Sequence, residues 1–236
     1  MAEFDNQTVL ITGASRGIGA HLVQHFQRQG AWVAACSRTM PKEETARGWL
    51  TSVDVTDEDQ VHRWVRAVYK RRGSIEVLIN NAGAAAMNLA LLTPTSAVRR
   101  ALELNYIAAF TTSREAVKIM RKARYGRVVN LTTVAVPLCL EGEMSYAASK
   151  AALETATRIM ASEFAGWGVT CNLVGPSPVD TDLIRGVPKD TLNDLLSRIP
   201  LGSMAQLEDC AYAVEVFARR GSGQLTGQVL YLGGVS

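Results

Sequence analysis

A tyrosine and a lysine stand four residues apart in the stretch Tyr-Ala-Ala-Ser-Lys, at Tyr146 and Lys150. On a helix, positions i and i+4 share a face. A phenol ordinarily titrates near ~10, which makes it a poor acid–base group at neutral pH. An ammonium beside it favours the phenolate and lowers that value. Such a pair can give a proton to a carbonyl oxygen while hydride arrives at the carbon from a nicotinamide. The spacing alone is common on surface helices. Its meaning depends on whether the rest of the chain builds a nucleotide site beside it. Thr132 and Thr133 end an apolar run upstream, and alternation along a strand sends them to opposite faces.

A second chemical signal lies near the start. The stretch Thr12–Gly19, TGASRGIG, falls between an apolar run at Thr8–Thr12 and a helical pattern from Gly17 to Gln29. Gly13 permits the turn, Gly17 lets the backbone approach a pyrophosphate, and Gly19 allows close packing of helix on sheet. With Ser15, Arg16 and Ile18 they form a cradle at a helix N-terminus, where free amides favour an anion. The second strand then ends in Ser37-Arg38 where a carboxylate would bind the ribose 2′-hydroxyl of NAD. Two guanidinium groups, Arg16 and Arg38, and two hydroxyls, Ser15 and Ser37, suit a 2′-phosphate instead. The expected cofactor is therefore NADP (NADPH).

These groups must be positioned by the elements around them. Apolar runs at TVLIT, AWVAACS, WLTSVDV, VLINNAG, GRVVNLTT, VTCNLVGP and GQVLYLGG read as seven strands, separated by helical patterns. Thr95 to Lys122 reads as one long helix. Continuous apolar strands alternating with helices argue for a parallel sheet covered on both faces. Right-handed crossovers make it a doubly wound, Rossmann-type α/β fold whose ligands bind beyond the C-terminal strand ends. No repeat, low-complexity segment or linker divides the chain, so residues 1–236 read as one NAD(P)-binding domain.

Composition excludes several classes. With 47% hydrophobic and 20% charged residues the chain is an ordinary globular one, and a net charge of +3 is too mild for a nucleic-acid surface. Cys36, Cys139, Cys171 and Cys210 lie far apart and read as free thiols in a reducing compartment. Cys139 reads as a small buried hydrophobe. No signal peptide or membrane-length apolar run is present, which points to a cytoplasmic protein with no membrane partner. His21 and His25 share a helix face, but no third ligand accompanies them, so no metal is expected.

Taken together, TGASRGIG, Asp54-Val55, Asn80–Gly83 (NNAG), Asn105, YAASK and GPSPVDTDL resemble the short-chain dehydrogenase/reductase family over essentially the whole chain. Within it, IPLGSMAQLEDCA and LTGQVLYLGG are similar to the 3-oxoacyl-[acyl-carrier-protein] reductase type. The resemblance implies a strand order of 3-2-1-4-5-6-7 and a homotetramer paired through its long helices. It implies Tyr146 as proton donor, and Lys150 as the group that binds the nicotinamide ribose and depresses the Tyr146 pKa. Asn105 would hold a water of a proton relay. Asp54 and Val55 would border the adenine, Asn81, Ala82 and Gly83 would line the nucleotide, and Val179 and Thr181 would hold the nicotinamide carboxamide.

The chain departs from that pattern at four places. The family's active-site serine, thirteen residues before the tyrosine, is Thr133 here. It keeps the hydroxyl and adds a methyl that stiffens χ1. The family's Pro-Gly after the sixth strand is Pro176-Ser177. The acid or amide before the last Gly-Gly is absent. Of two arginines that dock an acidic carrier protein, Arg124 matches one and Trp167 stands in place of the other. Leu183 to Ile199, with Gly186 and Pro188, reads as a mobile substrate lid. The function implied is an NADPH-dependent ketoreductase acting on a β-ketoacyl thioester or polyketide-like carbonyl. A non-catalytic dinucleotide-binding sensor or scaffold of the same fold is the alternative.

Overall fold

The computed structural model describes residues 2–182, 184–185 and 187–236. Its strands join one sheet in the order β3-β4-β2-β1-β5-β6-β7-β8. They are β1 (Thr8–Thr12), β2 (Trp32–Ser37), β3 (Glu43–Thr45), β4 (Gly48–Ser52), β5 (Val77–Asn80), β6 (Gly126–Leu131), β7 (Val169–Gly175) and β8 (Val229–Tyr231). Seven of them are parallel and follow the expected order.

The eighth corrects the expectation of seven. Strand β3 is a three-residue antiparallel partner of β4 at the sheet edge, with all three residues exposed. A Glu-Glu-Thr segment carries no apolar alternation, so nothing in its pattern announces a strand; charges on a short edge strand also discourage pairing with another chain. It fills the β2–β4 connection, where a helix would normally cross over. The uncovered face leaves a groove of about 500 Å³ against Val23, Gln27, Met40 and Leu50, with none of the tyrosine–lysine machinery in it.

The helices follow from pattern and caps. They are α1 (Gly17–Arg28), α2 (Glu58–Arg72), α3 (Thr95–Leu102), α4 (Ala108–Ala123), α5 (Ala135–Leu138), α6 (Met144–Phe164), α7 (Lys189–Ser197) and α8 (Leu207–Ala218). Helix α2 shows the logic most clearly. The Asp57 carboxylate accepts from the Gln60 amide at 3.0 Å, acids fill the first turn, Lys70, Arg71 and Arg72 fill the last, and Gly73 closes it at φ 75°. The expected single helix from Thr95 is broken: a π turn at Glu103–Ile107 separates α3 from α4.

Both faces of the sheet are buried. Val9, Ile11, Val33, Ile79 and Leu131 pack against α1 and α8 residues such as Leu22, Phe26, Val214 and Phe217. Leu10, Ala34, Leu78, Val128 and Cys171 pack on the other face against Val61, Trp64, Val117 and Met160. Alternate residues of one strand thus serve two cores, which is why the strands read as unbroken apolar runs. Among the described residues, no helix is long and apolar enough to cross a membrane.

Candidate active site

The glycine stretch forms the turn between β1 and α1. Gly13 and Gly17 hold φ of 70° and 56°, a region that side-chain-bearing residues rarely adopt. A Cβ on Gly19 would stand 2.3 Å from the Gly13 carbonyl oxygen. The Asn81 amide braces the turn, donating to the carbonyls of Thr12 at 3.1 Å and Gly13 at 2.9 Å. The Thr12 hydroxyl accepts from the backbone amides of Asn81 and Ala82. Asn81 and Ala82 therefore shape the cradle, and Thr12, which motif reading passed over, locks them to it.

Helix α1 begins at this cradle with no side chain capping it. Its first-turn amides stay available, the arrangement that suits a pyrophosphate. At the end of β2 the Ser37 hydroxyl oxygen is buried without a hydrogen-bond partner among the described residues. Arg38, which follows it, and Ser15 are exposed. Arg16 does not converge with them: its guanidinium lies 3.0 Å from the Asp182 carboxylate, which also pairs with Arg185 at 2.6 Å. Both partners are well exposed, so the pair is weak and Arg16 can be drawn away at little cost.

Asp54 spends one carboxylate oxygen on the amide and hydroxyl of Thr56, while Val55 is buried. Pro176 accepts from the Val134 amide, Ser177 is buried, and Val179 bridges to Ala205. The Thr181 methyl is 3.3 Å from where a Cβ on Gly17 would stand, so this segment reaches the glycine turn. Two residues of the expected lid, Leu183 and Gly186, lie outside the described residues; Lys189–Ser197 of that segment is α7.

The acid–base groups meet beyond the C-terminal ends of β5 and β6. Lys150 is 3% exposed, and its Nζ donates to the Leu131 carbonyl at 2.7 Å. Asn105 is 1% exposed and lies on the π turn, an irregularity often found at working sites. Its carboxamide accepts from the Ala84 amide at 2.9 Å and donates to the Ala84 carbonyl and the Ser149 hydroxyl, each at 3.0 Å. Gly83 links the two groups. A Cβ there would be 2.9 Å from Asn105 Oδ1 and 3.3 Å from Lys150 Nζ.

Thr133 and Tyr146 are partly exposed. Burial pushes the Tyr146 phenol up to about 12, opposed by a hydrogen bond from the Thr133 side chain and reinforced by the charge of Glu143. Lys150 is itself pushed down to about 8 by burial. A phenol held protonated is the form that gives a proton to a carbonyl oxygen. The two threonines divide as their alternation predicts. Thr132 turns away and donates to Glu154 at 2.6 Å, leaving Thr133 beside the phenol.

This constellation and this fold match a known group. A short-chain dehydrogenase/reductase family model, described as Enoyl-(Acyl carrier protein) reductase, matches residues 13–235. The chain belongs to the short-chain dehydrogenase/reductase family. It is 27% identical to the 3-oxoacyl-[acyl-carrier-protein] reductase of Escherichia coli, over 98% of this chain and 97% of that protein. It is 30% identical to the reductase of the same name from Pseudomonas aeruginosa, over 97% and 96%. The solved structure of ligand-free Thermoplasma acidophilum aldohexose dehydrogenase superposes with a TM-score of 0.88 at 28% identity, covering 100% of this chain and 96% of that one. An oxidoreductase of this family, with a nicotinamide dinucleotide as cofactor, is thereby established.

Other sequence candidates resolve differently. Cys139 is exposed, not buried: it closes α5 in the left-handed region at φ 48°, at the surface. His25 pairs with Glu215 at 2.6 Å and His21 lies 3.8 Å from Glu208, so the two histidines face separate carboxylates. Leu232, where the family has an acid or amide, packs against the core on the α1 side. Glu143, one turn before Tyr146, was not singled out from sequence.

Proposed function

We propose that the protein is an NADPH-dependent ketoreductase that reduces a carbonyl of a β-ketoacyl thioester or polyketide-like compound to an alcohol. The observation that carries this reading is the gathering of Lys150 Nζ and Asn105 Oδ1 at Gly83, with Tyr146 one turn before Lys150 on α6. The cofactor supplies the hydride. Thr133 polarises the carbonyl oxygen, Tyr146 gives it the proton, and Lys150 and Asn105 hold the groups behind the phenol. The glycine turn and the first-turn amides of α1 hold the pyrophosphate. Ser37, Arg38 and a released Arg16 hold the 2′-phosphate, which favours NADPH over NADH.

The substrate in this reading is a free or thioester-tethered small molecule. Arg124, which would serve a carrier protein, donates instead to the Gly166 carbonyl at 3.1 Å, and Trp167 stacks on Phe164. Exposed Ile107, Phe110 and Ile159 offer apolar groups for pairing the long helices between subunits, in line with a homotetramer. The test is NADPH oxidation against a panel of β-ketoacyl thioesters and cyclic ketones, with Tyr146→Phe as control. Turnover that disappears in the variant supports the reading. Tight NADPH binding with no turnover by any substrate, and no effect of the variant, supports a non-catalytic sensor instead.

A further inference from the structure

Glu154 lies one turn after Lys150 on α6 and is 4% exposed. Acids are rarely buried unless paired, and an apolar side chain would fill such a helix position at lower cost. One carboxylate oxygen, Oε1, accepts two hydroxyls at once, that of Thr132 at 2.6 Å and the Tyr231 phenol at 2.7 Å. Both bonds have the short length of charge-assisted ones. The other oxygen lies 3.6 Å from the half-exposed Arg158 guanidinium. Burial, and then the bond to Glu154, push the Tyr231 phenol up, so it stays a donor at neutral pH.

Each hydroxyl belongs to a different wall of the site. Thr132 directly precedes Thr133, and its amide donates to the Val174 carbonyl of β7 at 2.8 Å. Tyr231 ends β8 and lays its ring against β7. A Cβ on Gly175 would run into that ring and would stand 3.1 Å from the Thr132 methyl. Beyond Tyr231 the chain turns at Gly233, φ 83°, where a Cβ would be 2.5 Å from Ile199 and 3.5 Å from Ser177. The Gly233 carbonyl accepts from the Leu201 amide at 3.1 Å. One carboxylate thus ties three pieces together: the helix that carries Tyr146 and Lys150, the strand end that carries Thr133, and the C-terminal turn that packs on Ser177.

We infer that Glu154 is a positioning residue: held by Tyr231 and acting through Thr132, it fixes the Thr133 hydroxyl relative to Tyr146 without touching substrate or cofactor. This rests on the ketoreductase reading of the same site. Misplacing a reacting group by about an ångström costs up to about a hundredfold in rate. None of the Glu154 partners belongs to the glycine turn, so the effect falls on kcat rather than on NADPH affinity.

The test is a double-mutant cycle on kcat with NADPH and an acetoacetyl thioester, each rate taken per NADPH-binding site counted by fluorescence titration. Glu154→Leu is expected to lower kcat by about ten- to a hundredfold with NADPH affinity intact. Glu154→Gln, which still accepts both hydroxyls, should lose far less. In a Thr133→Val background no hydroxyl is left to place, and Glu154→Leu should cost no more than about twofold further. A residue that only supports the fold would lower both backgrounds by the same factor. That result overturns the inference, as does an unchanged kcat in Glu154→Leu. Should Glu154→Leu fail to fold, Thr132→Val takes its place in the cycle, with Thr132→Ser as the rescue. Failure of this inference alone leaves wild type active and Tyr146→Phe inactive. A wild type inert toward every thioester and cyclic ketone removes the ketoreductase reading and this inference with it.

Discussion

Replacing Lys150 by methionine should make the protein more stable while abolishing its activity. Lys150 is 3% exposed, its one hydrogen-bond partner among the described residues is the Leu131 carbonyl, and burial alone accounts for its shift from 10.5 to about 8. At about 1.4 kcal/mol per pH unit, that drop corresponds to roughly 3 kcal/mol of destabilisation. Below pH 8 both folded and unfolded chains hold the proton, so the cost is fully present. Between pH 8 and 10.5 only the unfolded chain holds it, and stability rises with pH; above that window the cost is gone. Methionine removes the charge but forfeits a hydrogen bond of about 1 kcal/mol, leaving a net gain of about 2 kcal/mol. For a domain of this size that is roughly 4–8 °C in Tm. The measurement is a pair of thermal melts of cofactor-free wild type and Lys150→Met, at about pH 6.5 and again above 10. Other titrating groups cancel in the difference between the proteins. The gain should be present at the lower pH and give way at the higher to a loss of about 1 kcal/mol, the forfeited hydrogen bond. A variant that melts at or below wild type near neutrality, or a difference that ignores pH, refutes the claim that burial dominates this lysine.

Three further outcomes are expected. Gly19→Ala places a Cβ 2.3 Å from the Gly13 carbonyl and 2.5 Å from Asn81 Nδ2, so NADPH affinity measured by fluorescence titration should collapse; unchanged affinity would show a looser turn. Thr133→Ser keeps the hydroxyl and should hold kcat within about tenfold, whereas Thr133→Val should lower it by about a hundredfold with cofactor affinity intact. Equal rates for the two variants would exclude a role for the hydroxyl. Glu154→Leu strands the Thr132 and Tyr231 hydroxyls and should cost about 2–4 kcal/mol in urea unfolding, and Glu154→Gln, which still accepts from both, distinctly less. A leucine variant as stable as wild type would mean those hydroxyls find other partners.

What was legible in the chain was whatever a few adjacent residues encode. The glycine turn and the Tyr146–Lys150 pair depend on local backbone geometry, so spacing reveals them. The strand order and Asn105 were legible through family likeness. The π turn around Asn105 was not, because helix-forming residues run through it on both sides and no breaker marks the irregularity. Strand β3 was missed because an exposed edge needs no apolar residues. The Arg16–Asp182 pair joins positions 166 residues apart, and nothing at either position names the other. Spacing likewise reports the ammonium beside Tyr146 but not that Lys150 is buried.

The side of α6 that carries Tyr146 explains why this site tolerates an expensive lysine. Lys150, Glu154 and Thr157 recur at helical spacing and are tied to three consecutive residues, the last two of β6 and Thr132 just beyond it. Lys150 donates to the Leu131 carbonyl, Glu154 accepts from Thr132 at 2.6 Å, and Thr157 accepts from the Asn130 amide at 2.8 Å. Asn130 in turn accepts from Asn80 on β5 at 2.8 Å. An apolar stripe here would be at least as stabilising, but it would tolerate a small rotation or slide of the helix. With polar anchors, a shift by one residue would bury several unpaired groups at once, each at about 1–3 kcal/mol. Tyr146 is one turn before the first anchor, and Thr133 follows the residue that Glu154 holds. The distance between phenol and hydroxyl is therefore set by a carboxylate that touches neither. The same arrangement that costs stability at Lys150 removes the freedom that would let Tyr146 and Thr133 drift apart.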